Sequence, residues 1–197
     1  MSVTLPSTPG PVAAEVKVVD FGGELSPALG GPVQRINRVG TRLAMAVTMP
    51  PMNGQVARPW ISRLLRGKLD GLVMAVAQPG LAIGSPGAPV VSGGGQTGST
   101  LSVRSGAAGY VYRDGQFVSI IAGGRRYLHM ITGDVTANGS GAAVLGVFPP
   151  LRVSPADGAG VEVAAPKIEG LLIGEEASYT VDYAAMFGLK FTITEAV

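Results

Sequence analysis

Apolar and polar residues alternate with a period of two in several short runs and with a helical period in only one. Glu15 to Phe21 (EVKVVDF) alternates and predicts a first strand. Leu43, Met45, Val47 and Met49 fall on one face of the next, with Arg42, Ala44, Ala46 and Thr48 on the other. Pro50-Pro51 predicts its end, since neither residue donates to a ladder. Between these strands Gly22-Gly23 and Gly30-Gly31-Pro32 bracket a predicted loop.

The helical run follows. Val56, Trp60, Ile61, Leu64 and Leu65 recur at i, i+4, i+5, i+8 and i+9, the stripe of a helix buried on one side, which makes Leu64 and Leu65 predicted core residues. Asn53 is placed to cap its start and Gly67 to stop it. Pro59 leaves two readings open: a kink at that point, or a regular helix beginning at Arg58 with the proline in its first turn.

From there the pattern is all β. Leu72 to Val76 reads as a short strand, and a Gly/Pro-rich stretch over residues 78–100 as a boundary between two lobes. Phe117–Ile121 and Arg126–Ile131 flank Ala122-Gly123-Gly124-Arg125 as a hairpin. Asp134–Ala137 and Ala142–Phe148 flank Asn138-Gly139-Ser140-Gly141 as a second, with Pro149-Pro150 ending that meander. Val161–Ala164, Ser178–Tyr183 and Leu189–Ile193 supply the last strands. The expected architecture is mainly β and two-lobed: residues 1–84 with 167–197 form a lobe carrying the helix, and 85–166 an inserted smaller barrel, two sequential domains being the alternative.

Composition sharpens this. With 46% hydrophobic residues in a 197-residue chain there is material for a real core, and 30 glycines with 15 prolines without a Gly-X-Y period suit many tight turns. Only 14% of residues are charged, below the roughly one quarter usual for globular domains, which suits a surface covered by copies or partners. The signs are separated. Arg35, Arg38, Arg42, Arg58, Arg63, Arg66 and Lys68 form a basic segment without an acid, whereas Glu162, Glu169, Glu175, Glu176, Asp182 and Glu195 make the C-terminal part acidic. Head-to-tail association would pair them, giving a candidate interface of Arg35, Arg38, Arg42, Arg63, Arg66 and Lys68 against Glu169, Glu175 and Glu176.

Candidate chemistry is sparse. Absence of cysteine rules out disulfides and thiolate metal sites. Gly93-Gly94-Gly95-Gln96-Thr97-Gly98 matches G-x-G-x-x-G by letter, but the following STLSVRS predicts a strand rather than a helix, and no lysine is present to neutralise phosphate. His129 is the only histidine and sits in a predicted strand without a partner motif, which suits a structural or surface role. Glu175-Glu176 reads as a solvated turn. No catalytic, metal or cofactor residue is assigned. The N-terminus has no secretory pattern, and Leu69–Val91 is broken by Pro79, Pro86 and Pro89, so no membrane span is expected.

Taken in order, DFGGELSPALGGPVQRINRVGTRLAMAVTMPPM, ARPWISRLLRG, the glycine-rich loop and GQFVSIIAGGRRYLHMITGDVTANGSGAAVLGVFPPLR resemble the distal tail protein family of tailed bacteriophages. The resemblance implies a ring, commonly a hexamer, joining the tail tube to the tip or baseplate hub and passing DNA without binding it specifically. It also implies an OB-like inserted barrel, no enzymatic activity, no cofactor, and residence in the virion after assembly in the bacterial cytoplasm. A tail terminator or hub-associated protein is the rival of the same kind. A carbohydrate-binding module is the rival of another, and would need aromatics beyond Trp60 on the surface.

Overall fold

The computed structural model describes residues 1–173, 179–182 and 185–195. Five strands precede the helix: β1 (Val3–Thr4), β2 (Ala13–Val19), β3 (Gly23–Leu25), β4 (Gln34–Ile36) and β5 (Arg42–Thr48). The helix α1 spans Gly54–Asp70. After it come β6 (Leu72–Ala75), β7 (Gly87–Val91), β8 (Gly98–Gly106), β9 (Val111–Tyr112), β10 (Phe117–Ala122) and β11 (Arg125–Ile131). The chain continues through β12 (Val135–Thr136), β13 (Ala143–Leu151), β14 (Val161–Glu162), β15 (Lys167–Leu172), β16 (Tyr179–Val181) and β17 (Phe187–Glu195). The protein is mainly β, with a single helix among the described residues.

Two sheets carry the architecture. The first runs β1-β6-β15-β17-β5-β2, with β16 added to β17, and so draws on both ends of the chain. Its core face holds Leu43, Met45 and Val47, the alternation read from the sequence, packed with Leu72, Met74, Ile168, Leu189, Ile193 and the helical Trp60 and Leu64. The second sheet runs β14-β10-β11-β13-β8-β7. A bridge between Val90 and Gly160 brings β7 back to the β14 end, so six strands nearly close a barrel around Leu101, Val118, Ile120, Ile131, Leu145 and Val147.

The helix starts as its sequence predicts: the Asn53 side chain accepts the Val56 N–H at 3.1 Å. Its end and its buried stripe are corrected. Gly67 does not stop the helix, which runs to Asp70; Gly71, at φ 84°, terminates it and donates to the Gly67 carbonyl. Gly67 is instead buried, because a Cβ there would collide with the Leu72 side chain. The buried positions are Ala57, Trp60, Leu64 and Gly67, with Ile61 partly covered, whereas Val56 and Leu65 are 38% and 50% exposed. The stripe therefore runs through Ala57, Trp60, Leu64 and Gly67, on the side of the helix that packs toward β1, β15 and β6. Pro59 lies inside the helix, past its first turn.

The first hairpin is present and tighter than expected: Ala122 pairs with Arg125 around Gly123 (φ 57°) and Gly124 (φ 77°), the left-handed pair that a two-residue turn requires. The second is not formed as predicted. Val135–Thr136 pairs with β9 and β13 pairs with β8, because the Asn138 side chain folds residues 138–142 into their own loop by accepting from Ser140 and Ala142 N–H. Pro149-Pro150 does not end the strand, which continues to Leu151. The prolines end only the pairing with β11, which stops at Phe148 for want of N–H donors, while Leu151 still pairs with Gly98 of β8. The loop expected between the first strands contains a further hairpin, β3 with β4.

Candidate subunit interface

The predicted basic segment is distributed over the arm before β5, β5 itself and α1, and much of it is engaged inside the chain. Arg35 pairs with Asp20 at 3.0 Å. Asp20 also accepts from Gly22 N–H and the Thr41 hydroxyl, and these contacts hold its carboxyl below the usual range. Arg38 is exposed and its carbonyl accepts Thr41 N–H. The Arg42 guanidinium donates to the Glu195 carbonyl at 3.2 Å and covers the Phe21 ring. Arg63 donates to the Thr4 carbonyl, Arg66 pairs with Asp70 one turn on, and Lys68 borders a groove described below.

The acidic partners fare differently. Glu175 and Glu176 lie outside the described residues. Glu169, expected on an acidic surface, is corrected to an inward residue: it is 8% exposed and accepts the Ser2 hydroxyl at 2.6 Å and the Arg126 N–H at 3.0 Å. Beside it Glu195, at 1%, accepts Leu128 N–H at 2.5 Å, Leu43 N–H at 3.1 Å and the Arg152 guanidinium at 2.8 Å. Burial outweighs these donors and pushes the Glu195 carboxyl up. Arg126 and Leu128 are alternate residues of β11, on the edge that β13 cannot pair beyond Phe148. Two carboxylates of the first sheet thus take the place of a neighbouring strand and tie the barrel to it. Arg126 with Glu162, Lys167 with Glu162, and the Ser119 hydroxyl with Lys167 extend this polar junction.

Among the described residues an exposed apolar surface stands apart from these ion pairs, and sequence periodicity missed it. Residues 20–41 leave β2 and return to β5 as an arm bearing the β3–β4 hairpin, every residue of which is exposed. On it Leu25 (56%), Leu29 (100%), Val33 (58%), Ile36 (43%) and Val39 (59%) face solvent. Strand β2, at the sheet edge, continues the strip: Val16 and Val18 sit opposite buried Met45 and Leu43 yet remain open. The available signal was a set of apolar residues in a Gly/Pro-rich stretch that belonged to no period.

A second apolar feature, bounded by described residues, is a groove of about 430 Å³ between α1 and the first sheet, walled by Ile61, Leu64, Leu65, Val47, Leu189 and Phe191, with Lys68 and Lys190 also bordering it.

The remaining motifs are structural. The glycine run at 93–98 is a turn leading into β8, occupied by the Gln96 side chain, which bonds Ser92, Gly93 and Ser102 backbone; Gly93 N–H is taken by Asp157. His129 is buried, and its Nδ1–H donates to the Pro149 carbonyl at 2.7 Å, since a carbonyl only accepts. Burial lowers its pKa to about 4. Among the described residues no cluster of His, Asp or Glu is disposed to hold a metal ion, and no helix is long and apolar enough to cross a membrane. Compared with protein-family models and with curated proteins, the chain matches none.

Proposed function

We propose that the chain is a structural subunit of a phage tail, assembling into a ring at the distal end of the tail tube and joining it to the tip or hub. The observation that carries this reading is the exposed apolar side of β2 and the arm, with Val16, Val18, Leu25, Leu29, Val33, Ile36 and Val39 open to solvent. A two-stranded hairpin of three-residue strands is marginal alone in water and gains its order from what covers it. Exposed patches of this kind mark association surfaces. The open edge of β2 adds unpaired backbone donors and acceptors to the same surface. The order of elements resembles distal tail proteins, and the low charge suits a chain buried among copies. In this reading DNA passes through the ring without specific contact, the partners are the tube and hub proteins, and the subunit resides in the virion.

Trp60, at 1% exposure, offers no stacking face for a sugar, and the exposed aromatics among the described residues are engaged within the chain, Phe21 under the Arg42 guanidinium and Tyr179 stacked on Phe187, which disfavours the carbohydrate-binding alternative. The test is sedimentation and electron microscopy of the full chain over a wide concentration range, alone and with tail tube protein. Closed rings are expected, and a monomer under all conditions would overturn the reading.

A further inference from the structure

Two of the three asparagines precede glycine, Asn53-Gly54 and Asn138-Gly139, and the fold treats them differently. Asn53 caps α1: its Oδ1 accepts one donor, the Val56 N–H, and its carbonyl accepts Ala57 N–H at 2.9 Å. Gly54 is already the first helical residue, with Phe187 beside the place where a Cβ would stand. Asn138 lies in the loop leading from β12 to β13. Its Oδ1 accepts three donors, the Ser140 N–H at 3.0 Å, the Ser140 hydroxyl at 2.8 Å and the Ala142 N–H at 2.9 Å. Main-chain bonds close the same loop: Asn138 N–H donates to the Ala142 carbonyl and Gly141 N–H to that of Asn138, both at 2.9 Å. Gly139, between these contacts, is exposed, with open space where a Cβ would stand and no acceptor for its N–H among the described residues.

From this we infer that Asn138-Gly139 is a site of self-modification, where the three donors on Oδ1 promote deamidation of Asn138 through a cyclic imide. The Gly139 nitrogen gives its proton to solvent and adds to Asn138 Cγ, and the negative charge of the tetrahedral adduct falls on Oδ1. The Cγ–Nδ2 bond then breaks and the side-chain nitrogen, once protonated, leaves as ammonia. One water opens the five-membered imide to aspartate or isoaspartate, so the sum is one water in and one ammonia out, with no change of oxidation state. Each requirement has its counterpart here. The nucleophile is held one residue from its target and is unhindered by a side chain. Fixed donors already surround the oxygen on which charge develops, as in an oxyanion hole. Aspartate at 138 would keep all three donors on a charged acceptor, bonds roughly twice as strong as neutral ones. Isoaspartate would add a methylene to the main chain and break the closure between residues 138 and 142. The loop therefore favours the aspartate product, which gives each subunit one further negative charge on its barrel, whether it assembles or not.

The test is incubation of the full chain in heavy-oxygen water at neutral pH, followed by peptide mapping with mass spectrometry. Asn138 is expected to convert, with uptake of one solvent oxygen, about tenfold or more faster than Asn53 in the same sample and faster than a synthetic peptide of residues 134–144. Ser140→Ala, which removes one donor at an exposed position, should slow conversion several-fold. Gly139→Ala, for which the loop has room, should slow it further by crowding the attacking nitrogen. Conversion at Asn138 no faster than at Asn53, or slower than in the peptide, overturns the proposal. So does a rate that Ser140→Ala leaves unchanged.

Discussion

His129 is a titratable side chain enclosed in its uncharged form, and the pH dependence of stability follows from that. Its folded pKa of about 4 lies below the ordinary value of 6.5, so the unfolded chain binds the proton first as pH falls. The stabilisation is complete above pH 6.5 and is lost progressively toward pH 4, amounting to about 3 kcal/mol at 1.36 kcal/mol per pKa unit. Glu195 acts with the opposite sign: its raised pKa means that folding favours its protonated form, so its cost at neutral pH is relieved as acid is added. Urea unfolding at pH 7 and 4.5 should therefore show a smaller loss of stability in acid for His129→Gln than for the wild type. Glu195→Ala carries a larger penalty, about 3–5 kcal/mol, because it leaves the Arg152 guanidinium buried without its counter-charge and strips acceptors from Leu43 and Leu128. The urea midpoint at pH 7 measures it.

At the scale of elements, α1 separates positions that periodicity treats alike. Leu64→Ala should cost about 2–5 kcal/mol, whereas Leu65→Ala, half exposed, should stay within about 0.5 kcal/mol. Gly67→Ala, harmless at a helix terminus, should instead destabilise by about 1–3 kcal/mol, because the added methyl meets Leu72 in a filled core. Thermal and urea midpoints of the three variants decide between the two helical stripes. The helix cap, the β5 alternation and the Gly123-Gly124 turn were legible in the sequence because their causes are local: an Asn side chain three residues from its donor, a period of two, a pair of left-handed glycines. The stripe shifted because burial is set by which face meets β1, β15 and β6, contacts that local pattern does not contain. The pairing of β13 with β8 rather than β12 was hidden for the same reason, while Asn138 consumed the turn signal in a loop of its own.

Over the whole molecule, the mainly β class was readable from the short apolar runs and their turns, but the places where surfaces meet were not. Glu169 looked like a surface acid because its acceptor role depends on Arg126, 43 residues away; Glu195 serves Leu128, 67 residues away, and Leu43, 152 away. Basic and acidic stretches that looked separated in sequence are partly brought together by folding, as Arg42 donates to the main-chain carbonyl of Glu195 and its charge acts on the Glu195 carboxylate, so their opposite signs serve the subunit before any assembly. The arm escaped notice for the complementary reason: a side chain reads as exposed only once every neighbour is known.

The open edge of β11 also governs how portable the barrel is. Cut free at residues 85 and 166, it would lose both carboxylates and present the Arg126 and Leu128 N–H groups on a bare strand edge, a template for pairing with any extended chain. Grafted into another host, it would keep its orientation only where that host holds two acids at the spacing of alternate β11 donors. Coupling of this kind makes the inserted unit a component fitted to one socket rather than a freely exchangeable module.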